Sequence, residues 1–229
     1  MSLARRAIAE EQMDAADLDP ATYAAILTDL AQVNRLTLAY RPTLGFVARA
    51  IGTRQSFRLL DVGFGDGDML RQVANWAAKR GIAAELVGID LNPRSAPVAR
   101  TATDASLPID YRTGDYRDLA GERFDLIVSS LVAHHMSEPQ LLDFLRFMEA
   151  EAARGWMVND LHRHRLAHAG FPVLARLLGW HRIVREDGTL SIARSFRPDE
   201  WEVLLDRAGI AQAQVVCRFP FRLCVERTR

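Results

Sequence analysis

Short apolar runs alternate along this chain with segments whose apolar residues recur at helical spacing. Runs of about four to eight apolar residues between turn residues are typical of buried strands, and a repeat of three to four residues is typical of helices that cover a sheet. The strands predicted in this way are 59–62, 85–90, 111–116, 124–130, 155–159, 214–218 and 222–227. The alternation predicts an α/β fold with a mostly parallel sheet.

Residues 1–56 precede the first strand and are predicted to form a helical cap. Asp19 is a suitable N-cap residue, and Pro20 suits the first helical position. An apolar stripe at helical spacing follows, made of Tyr23, Ile26, Leu27, Leu30 and Val33, with the polar Asn34 on the same stripe. We expect this helix to end near Pro42, because proline disfavours helical continuation.

The chain of 229 residues is predicted to form one domain. Residues 57–160 are expected to form the core that binds a nucleotide-like cofactor, and residues 197–229 supply a final helix and a strand hairpin. Residues 161–196 are left as an insertion between the fifth strand and the final helix. The insertion is therefore the segment most free to differ from a standard α/β pattern.

The composition suits a compact enzyme, since 49% of the residues are hydrophobic and 29 basic residues balance 29 acidic ones. A dedicated nucleic-acid-binding protein usually has a basic excess, so tRNA and DNA are disfavoured as partners. Cys217 and Cys224 lack metal-site spacing and fit a reducing, cytoplasmic location. No long apolar run occupies the first 20 residues, so neither a secretory signal nor a transmembrane span is expected.

Three glycines at alternate positions follow the first strand, within residues 61–67, Asp-Val-Gly-Phe-Gly-Asp-Gly. Glycine suits such a loop because a Cβ would block the approach of a ligand or forbid the dihedral angles of the turn. In a dinucleotide-binding loop the third glycine comes one residue later, where this chain has Asp68. Asp66 lies within the loop and would repel a pyrophosphate, so the pattern disfavours a dinucleotide.

Polar residues also follow the next three strands. Asp90 closes the second strand, where a carboxylate can accept hydrogen bonds from both hydroxyls of a ribose. Asp115 follows the third strand, and the pair His134-His135 follows the fourth. Each aspartate can instead cap a helix or a turn.

These landmarks, in this order between Leu59 and Met136, resemble the motifs of class I S-adenosylmethionine-dependent methyltransferases. The resemblance implies a doubly wound, mostly parallel, seven-stranded Rossmann-like sheet with an antiparallel last strand. It also implies S-adenosyl-L-methionine as cofactor and S-adenosyl-L-homocysteine as product. The positions that it assigns to the cofactor are Asp61, Gly63, Phe64, Gly65, Asp66, Gly67, Asp90, Leu91, Asp115, Tyr116, Ser130 and Leu131.

In the resembling family an acid at this place accepts a hydrogen bond from the adenine amino group, and Asp115 matches its position. N-terminal helices commonly roof the cofactor in the family, so Asn34, Tyr40 and Arg41 are candidates for binding the methionine carboxylate or the acceptor. The alternatives are that Asn34 satisfies a backbone group and that Arg41 is a solvated charge.

Outer segments extend the resemblance to bacterial methyltransferases of secondary metabolism, namely residues 13–14, 33–36, 158–163 and 191–198. Members of this kind act on aromatic polyketides, phenolic lipids or quinone-like rings. The resemblance therefore implies a small, hydroxylated, aromatic acceptor. It leaves open whether oxygen or carbon is methylated.

Insertions at the position of residues 161–196 form the acceptor pocket or a lid in many of the resembling enzymes. Residues 161–185 of this insertion contain no acidic residue but five arginines, namely Arg163, Arg165, Arg176, Arg182 and Arg185. With the apolar run 171–180 they predict a basic lid for an apolar acceptor that has an anionic or hydroxyaryl part. Residues 171–185 also fit weak contact with a membrane surface, or an ordinary solvated helix with one core face.

Methyl transfer is an in-line displacement, and a phenol attacks more readily as it loses its proton. A histidine on the rim of the site suits the role of base because its pKa lies near neutral pH. His135 is the first candidate, followed by His134 and His162, with Asp160 a candidate for binding the acceptor. Either histidine after the fourth strand can instead pack against the cofactor or cap the next helix. No metal is expected, because no second acidic pair accompanies Asp160 and its neighbouring histidines.

Two other functions fit parts of the pattern. A catalytically silent S-adenosylmethionine-binding partner subunit would bind cofactor without turnover, and its His134 and His135 would not line the cleft. A nicotinamide-dependent oxidoreductase is disfavoured by Asp68 in the glycine loop. The sequence does not decide between a monomer and a homodimer.

Overall fold

The computed structural model describes residues 3–15 and 17–229, and its seven-stranded sheet has the order β3-β2-β1-β4-β5-β7-β6. The strands are β1 (Ser56–Val62), β2 (Ala83–Asp90), β3 (Ile109–Thr113), β4 (Phe124–Ser130), β5 (Ala152–Leu161), β6 (Gln214–Arg218) and β7 (Arg222–Thr228). Neighbours from β3 to β5 are parallel, whereas β7 is antiparallel to both β5 and β6. The predicted fold class is confirmed, including its antiparallel last strand.

Helices cover both faces of the sheet. They are α1 (Pro20–Leu36), α2 (Tyr40–Ile51), α3 (Asp68–Ala78), α4 (Ser95–Ala102), α5 (Glu138–Glu151), α6 (Arg165–Leu177), α7 (Arg182–Arg194) and α8 (Pro198–Ala208). Short 3₁₀ helices occur at Gln12–Asp14, Tyr116–Leu119 and Ala133–His135. Helices α2, α3 and α4 pack on one face of the sheet, and α5 and α8 pack on the other.

Strand β1 explains why its sequence is a continuous apolar run. Successive side chains of a strand point to opposite faces. Leu59 therefore joins the core under α2, α3 and α4, whereas Leu60 joins the core under α5 and α8. Both leucines are fully buried, and each burial contributes about 2 kcal/mol. A strand covered on both faces needs apolar residues at successive positions.

The N-terminal cap consists of two helices rather than one. Asp19 accepts a hydrogen bond from the Thr22 amide at 2.8 Å, which confirms the predicted N-cap. The prediction that the helix ends near Pro42 is wrong, because α1 ends at Leu36 and Pro42 lies in the first turn of α2. Proline is tolerated in a first turn, since the amide of that position has no intrahelical partner in any case.

Helices α6 and α7 form the insertion and pack against each other and against α1. Ile26, Trp180 and Val184 lie in this third apolar cluster. Gly188 lets α6 approach α7 closely, because a Cβ there would lie 2.3 Å from the ring of Phe171. The insertion thus forms a layer with α1.

The prediction of a basic lid is wrong in part, because acidic residues accompany the arginines of the insertion. Glu186 and Asp187 lie in α7 and were not counted in that prediction. Arg182 pairs with Glu186 at 2.7 Å, and the buried Arg163 pairs with Glu200 at 2.5 Å. Two of the five arginines are therefore already neutralised.

Candidate functional site

A cavity of about 770 Å³ lies at the carboxyl ends of the parallel strands, beneath α1, α6 and α7. The predicted site residues on its wall are Asn34, Asp61, Gly63, Phe64, Gly65, Asp66, Asp90, Leu91, Tyr116, Ser130, Leu131, His134 and His135. Those that do not line it are Tyr40, Gly67, Arg41, Asp115, Asp160 and His162. Most predicted positions therefore lie around one cavity, and its volume is within the range of known ligand pockets.

The glycine loop turns tightly, and all three of its glycines have positive φ. At Gly63 a Cβ would lie 2.4 Å from Val132 Cγ2, so only glycine fits there. At Gly67 a Cβ would lie 2.3 Å from the Tyr111 hydroxyl oxygen. Packing therefore requires the third glycine, which does not touch the cavity, whereas Gly63 and Gly65 form its wall.

Asp90 is held beside the glycine loop by two backbone hydrogen bonds. One carboxylate oxygen accepts from the Gly65 amide at 2.9 Å, and the other accepts from the Asn92 amide at 2.8 Å. Burial raises the pKa of the Asp90 carboxyl, while these hydrogen bonds oppose the shift. Each oxygen keeps a second lone pair that can accept a hydrogen bond from a ligand hydroxyl.

Further carboxylates surround the first turn of α3. Asp66 pairs with Arg71 at 2.8 Å. Asp61 is buried, and its Oδ1 has no hydrogen-bond partner among the residues described. Burial, together with nearby Asp68 and Asp90, raises the pKa of Asp61 well above its usual range. A hydrogen-bond-donating or cationic group of a ligand would satisfy this carboxyl.

One carboxylate ties the N-terminal helices to the glycine loop. Asn34 Nδ2 donates to Asp68 Oδ2 at 3.0 Å, and the Tyr40 hydroxyl donates to the same oxygen at 2.8 Å. Burial and the charge of Asp68 raise the pKa of Tyr40. Arg41 is exposed on the first turn of α2, so the structure does not bring it to the cavity.

Gly114 and Tyr116 lie on the cavity wall after β3, but Asp115 between them does not. Its carboxylate accepts a hydrogen bond from the Arg117 amide at 2.9 Å and pairs with the Arg117 guanidinium at 2.5 Å. These bonds lower the pKa of the Asp115 carboxyl. Asp115 thus caps a 3₁₀ helix in this structure, and its contact with adenine stays a prediction.

The chain leaves β4 through a left-handed residue, since Leu131 has φ +62°. This conformation is uncommon for leucine, and the Leu131 amide is fixed by a 3.0 Å hydrogen bond to the Asn159 carbonyl. The next 3₁₀ helix carries His134 and His135. Ser130 and Leu131 therefore connect the cofactor end of the wall to the histidine pair.

His134 is buried between two carboxylates. Its Nδ1 lies 2.7 Å from Asp160 Oδ1, and its Nε2 lies 3.6 Å from Glu11 Oε1. Burial alone would lower the pKa of His134, but Asp160 and Glu11 raise it to about 9. A ring that is already protonated at neutral pH cannot accept a proton, so His134 does not fit the predicted role of base. Asp160 is buried behind His134 and holds its ring.

His135 is partly exposed on the cavity wall, with its ring 4.3 Å from that of His134. Its Nδ1 lies 3.0 Å from Asp14 Oδ2, and its Nε2 lies 3.8 Å from Glu11 Oε2, beyond hydrogen-bonding distance. Of the two histidines on the wall, His135 is therefore the more exposed one. His162 lies away from the cavity, and burial lowers its pKa.

Glu11, His134 and His135 form a group of potential metal ligands, whose donor atoms lie within 4.8 Å of one another. The raised pKa of His134 opposes such binding, because a protonated ring nitrogen has no free lone pair. The expectation that no metal is bound stays a prediction.

Glu11 and Asp14 reach the cavity because α7 anchors the N-terminal segment. Asp187 accepts hydrogen bonds from the amides of residues 12–13 at 3.1 and 2.9 Å, and the Ser191 hydroxyl donates to Glu11 at 2.8 Å. Sequence analysis missed these acids as site residues. The only available signal was the outer resemblance at residues 13–14.

Comparison with known proteins agrees with this geometry. Residues 59–153 match the family model of a methyltransferase domain. A ubiquinone biosynthesis O-methyltransferase of Ruegeria pomeroyi is 31% identical over 186 residues, which are 77% of this chain and 70% of that protein. The chain belongs to the S-adenosylmethionine-dependent methyltransferase family.

This methyltransferase is also 34% identical over 162 residues to a ubiquinone biosynthesis O-methyltransferase of Cereibacter sphaeroides. That match covers 68% of this chain and 61% of the relative, so the methyltransferase spans less than two thirds of the relative's length. It shares its fold with a methyltransferase of Aquifex aeolicus, at 18% identity and a TM-score of 0.63 over 92% of this chain and 98% of the other. Human N-acetylserotonin methyltransferase gives 15% identity and a TM-score of 0.64, over 92% of this chain and 56% of the other.

The family bears on the two alternative functions. Membership in a methyltransferase family overturns the hypothesis that the protein is a nicotinamide-dependent oxidoreductase. The silent subunit was expected to keep His134 and His135 out of the cleft, whereas both histidines of this methyltransferase line the cavity.

Proposed function

We propose that this methyltransferase transfers a methyl group from S-adenosylmethionine to a hydroxyl oxygen of a small, largely apolar, aromatic acceptor of the phenol or quinol type. The observation that carries the proposal is the single cavity that has both the glycine loop and the pair His134-His135 on its wall. Relatives named ubiquinone biosynthesis O-methyltransferases support oxygen as the attacking atom and a quinol-like ring as acceptor.

The residues around the glycine loop fit S-adenosylmethionine, which when bound supplies a methyl group on a positively charged sulfur. Asp90 would accept hydrogen bonds from the ribose hydroxyls, and the lack of side chains at Gly63 and Gly65 leaves the loop backbone accessible. The unpartnered Oδ1 of Asp61 would accept a hydrogen bond from the ammonium group. The same carboxylates would repel a pyrophosphate.

An apolar wall supports an aromatic acceptor. It includes Ile26, Leu27, Leu30, Phe171, Leu174 and Ile183. An aromatic ring that buries about 150 Å² against such a wall gains roughly 4 kcal/mol. Apolar contact alone can therefore hold the ring, without an ion pair to the arginines of α6 and α7.

His135 is the proposed base at the acceptor end. Asp14 accepts a hydrogen bond from His135 Nδ1, which fixes the ring and stabilises the positive charge that appears when Nε2 takes a proton. The charged His134 beside it favours the ionised form of an acceptor hydroxyl, and Glu11 offsets the repulsion between the two rings. This chain's residues would thus remove the proton of the attacking oxygen.

The test compares His135→Gln with the matched control His162→Gln, which changes a histidine outside the cavity. Methyl transfer from S-adenosylmethionine to a panel of catechols, phenols and hydroquinones is measured by mass spectrometry. We expect His135→Gln to lower kcat by about 100-fold to 10,000-fold and to keep its affinity for S-adenosylhomocysteine. The control His162→Gln should have the kcat of the wild type. Equal activity of both variants would refute the assignment of the base, and products methylated on carbon would refute oxygen as the nucleophile.

Several partner expectations stay predictions. A cytoplasmic location, a monomer or homodimer, and the absence of nucleic-acid binding rest on composition and family. Among the described helices, none is long and apolar enough to cross a membrane. Leu177, the last residue of α6, and Leu178 after it are exposed, which is compatible with the proposed weak contact of residues 171–185 with a membrane surface.

A further inference from the structure

Arg222 is a buried arginine on the wall of the cavity that sequence analysis did not single out. It is the first residue of β7, opposite Leu161 at the end of β5, and only 2% of it is exposed. Burial lowers the pKa of its guanidinium. Arginine nevertheless stays protonated at neutral pH, so a positive charge is fixed at this point of the wall.

This guanidinium has unused hydrogen-bonding capacity. Its Nη2 makes one long hydrogen bond of 3.4 Å to the Thr37 hydroxyl, and its Nη1 has no partner among residues 3–15 and 17–229. A guanidinium has five N–H donors. A buried polar group without partners is rare unless a ligand or water satisfies it.

The neighbouring acids do not neutralise Arg222. Asp160 is engaged by His134 at 2.7 Å, and Asp68 is engaged by Asn34 and Tyr40. Within the described part of the chain, Arg222 takes part in no ion pair. By contrast, the equally buried Arg163 pairs with Glu200 at 2.5 Å. An anion from outside the chain would therefore complete the surroundings of Arg222.

The position along the sheet indicates which part of a cofactor this anion belongs to. Asp90 and Tyr116 follow β2 and β3, on one side of the glycine loop, whereas Arg222 lies on the other side, beyond β4 and β5. The buried carboxyl of Asp61 lies between them at the end of β1. The carboxyl of Asp61 suits an ammonium group, and the guanidinium of Arg222 suits a carboxylate. Together they match the two charges of an amino-acid zwitterion.

We propose that Arg222 binds the α-carboxylate of the methionine part of S-adenosylmethionine, an inference that rests on the proposed function. The hydroxyl of Thr37, the residue after α1, accepts a hydrogen bond from the guanidinium, so the contact would join the end of the N-terminal helix to β7 across the cofactor. The carboxylate role that sequence analysis offered to Arg41 passes to Arg222.

The test is a calorimetric comparison of ligands with and without the carboxylate. Wild type, Arg222→Met and Arg222→Lys are titrated with S-adenosylhomocysteine and with its decarboxylated analogue. Arg41→Met is the matched control, because it removes an exposed arginine from the neighbouring helix. Thermal unfolding of each variant establishes that it is folded, and Arg222→Lys retains the charge if the methionine variant does not fold.

In the wild type we expect the decarboxylated analogue to bind about 10-fold to 100-fold more weakly than S-adenosylhomocysteine, the range of a charge-assisted hydrogen bond. Arg222→Met should weaken the binding of S-adenosylhomocysteine by a similar factor and leave the affinity for the analogue unchanged. Arg222→Lys should bind S-adenosylhomocysteine with intermediate affinity, and Arg41→Met should bind it as the wild type does.

Three outcomes overturn the proposal. The first is that Arg222→Met loses affinity equally for both ligands. The second is that the wild type binds both ligands with equal affinity. The third is unchanged S-adenosylhomocysteine affinity in both Arg222 variants; a raised acceptor KM of these variants in the methyl-transfer assay would then assign the guanidinium to an acceptor anion. A wild type that binds neither ligand would instead refute the proposed function itself.

Discussion

The charge on His134 predicts that the protein loses stability as pH rises above neutrality. The pKa of His134 is about 9 in the folded protein and about 6.5 in an unfolded chain. Because the folded pKa is the higher one, protonated His134 stabilises the fold fully below pH ~6.5, and the contribution is lost as pH rises through about 9. Each pH unit in this window removes about 1.4 kcal/mol, so the total approaches about 3 kcal/mol.

Several charged groups produce this value. Burial opposes the charge of the ring, whereas Asp160 and Glu11 face the ring and favour its charge. His134 is 3% exposed, so solvent screening of the two contacts is small. The figure of about 3 kcal/mol is a large part of a typical folding free energy and is measurable by denaturation.

The assay is urea unfolding of the wild type and His134→Asn at pH 6.5, 7.5, 8.5 and 9.5. The variant leaves the buried Asp160 without its partner, so it is less stable at every pH, and the informative quantity is the slope. Between pH 6.5 and 9.5 the wild type should lose about 3 kcal/mol more than the variant. The control His168→Asn, whose ring lies outside the cluster, should keep the wild-type slope. If the free energy of unfolding depends on pH in the same way for the wild type and His134→Asn, the assignment of a protonated His134 is refuted.

Gly67→Ala should destabilise the fold by about 2–3 kcal/mol, because the new Cβ would meet the Tyr111 hydroxyl on a backbone of positive φ. Gly81→Ala, which also has positive φ but meets nothing within 4 Å, should lose only about 1 kcal/mol in the same urea titration, and equal losses would exclude the contact as the cause. Incubation with EDTA should leave turnover unchanged, whereas a loss that a divalent ion restores would show that the site needs a metal. Phe171→Ala removes an apolar part of the wall and should raise the KM of the acceptor about 10-fold; unchanged KM would place the acceptor elsewhere.

The cofactor half of the site was predictable because its signals are local. The glycine loop and Asp90 lie within about one strand–helix–strand unit, and each residue type is demanded by the backbone or by a hydroxyl ligand. An acid after a strand suits a cap as well as a ligand contact, and in this structure Asp115 caps a 3₁₀ helix through Arg117, so its contact with adenine stays a prediction. Local sequence does not separate these uses.

The acceptor half could not be derived from spacing. Asp14 and His135 are 121 positions apart and meet only because Asp187 in α7 holds the N-terminal segment. Nothing in the neighbourhood of an acidic N-terminal residue indicates a partner so far along the chain. The fully buried state of Arg222 depends in the same way on β7 returning beside β5. Pairings of this kind are properties of the tertiary fold.

Asp68 shows that a departure from a motif can have a structural purpose of its own. In a dinucleotide-binding loop this position is glycine, which permits close packing of helix and strand. Here the Asp68 carboxylate accepts hydrogen bonds from Asn34, near the end of α1, and from Tyr40, at the start of α2. Its place in the first turn of α3 lets the helix dipole stabilise its charge. The residue that disfavours a dinucleotide is therefore also the residue that fastens the N-terminal helices over the cavity.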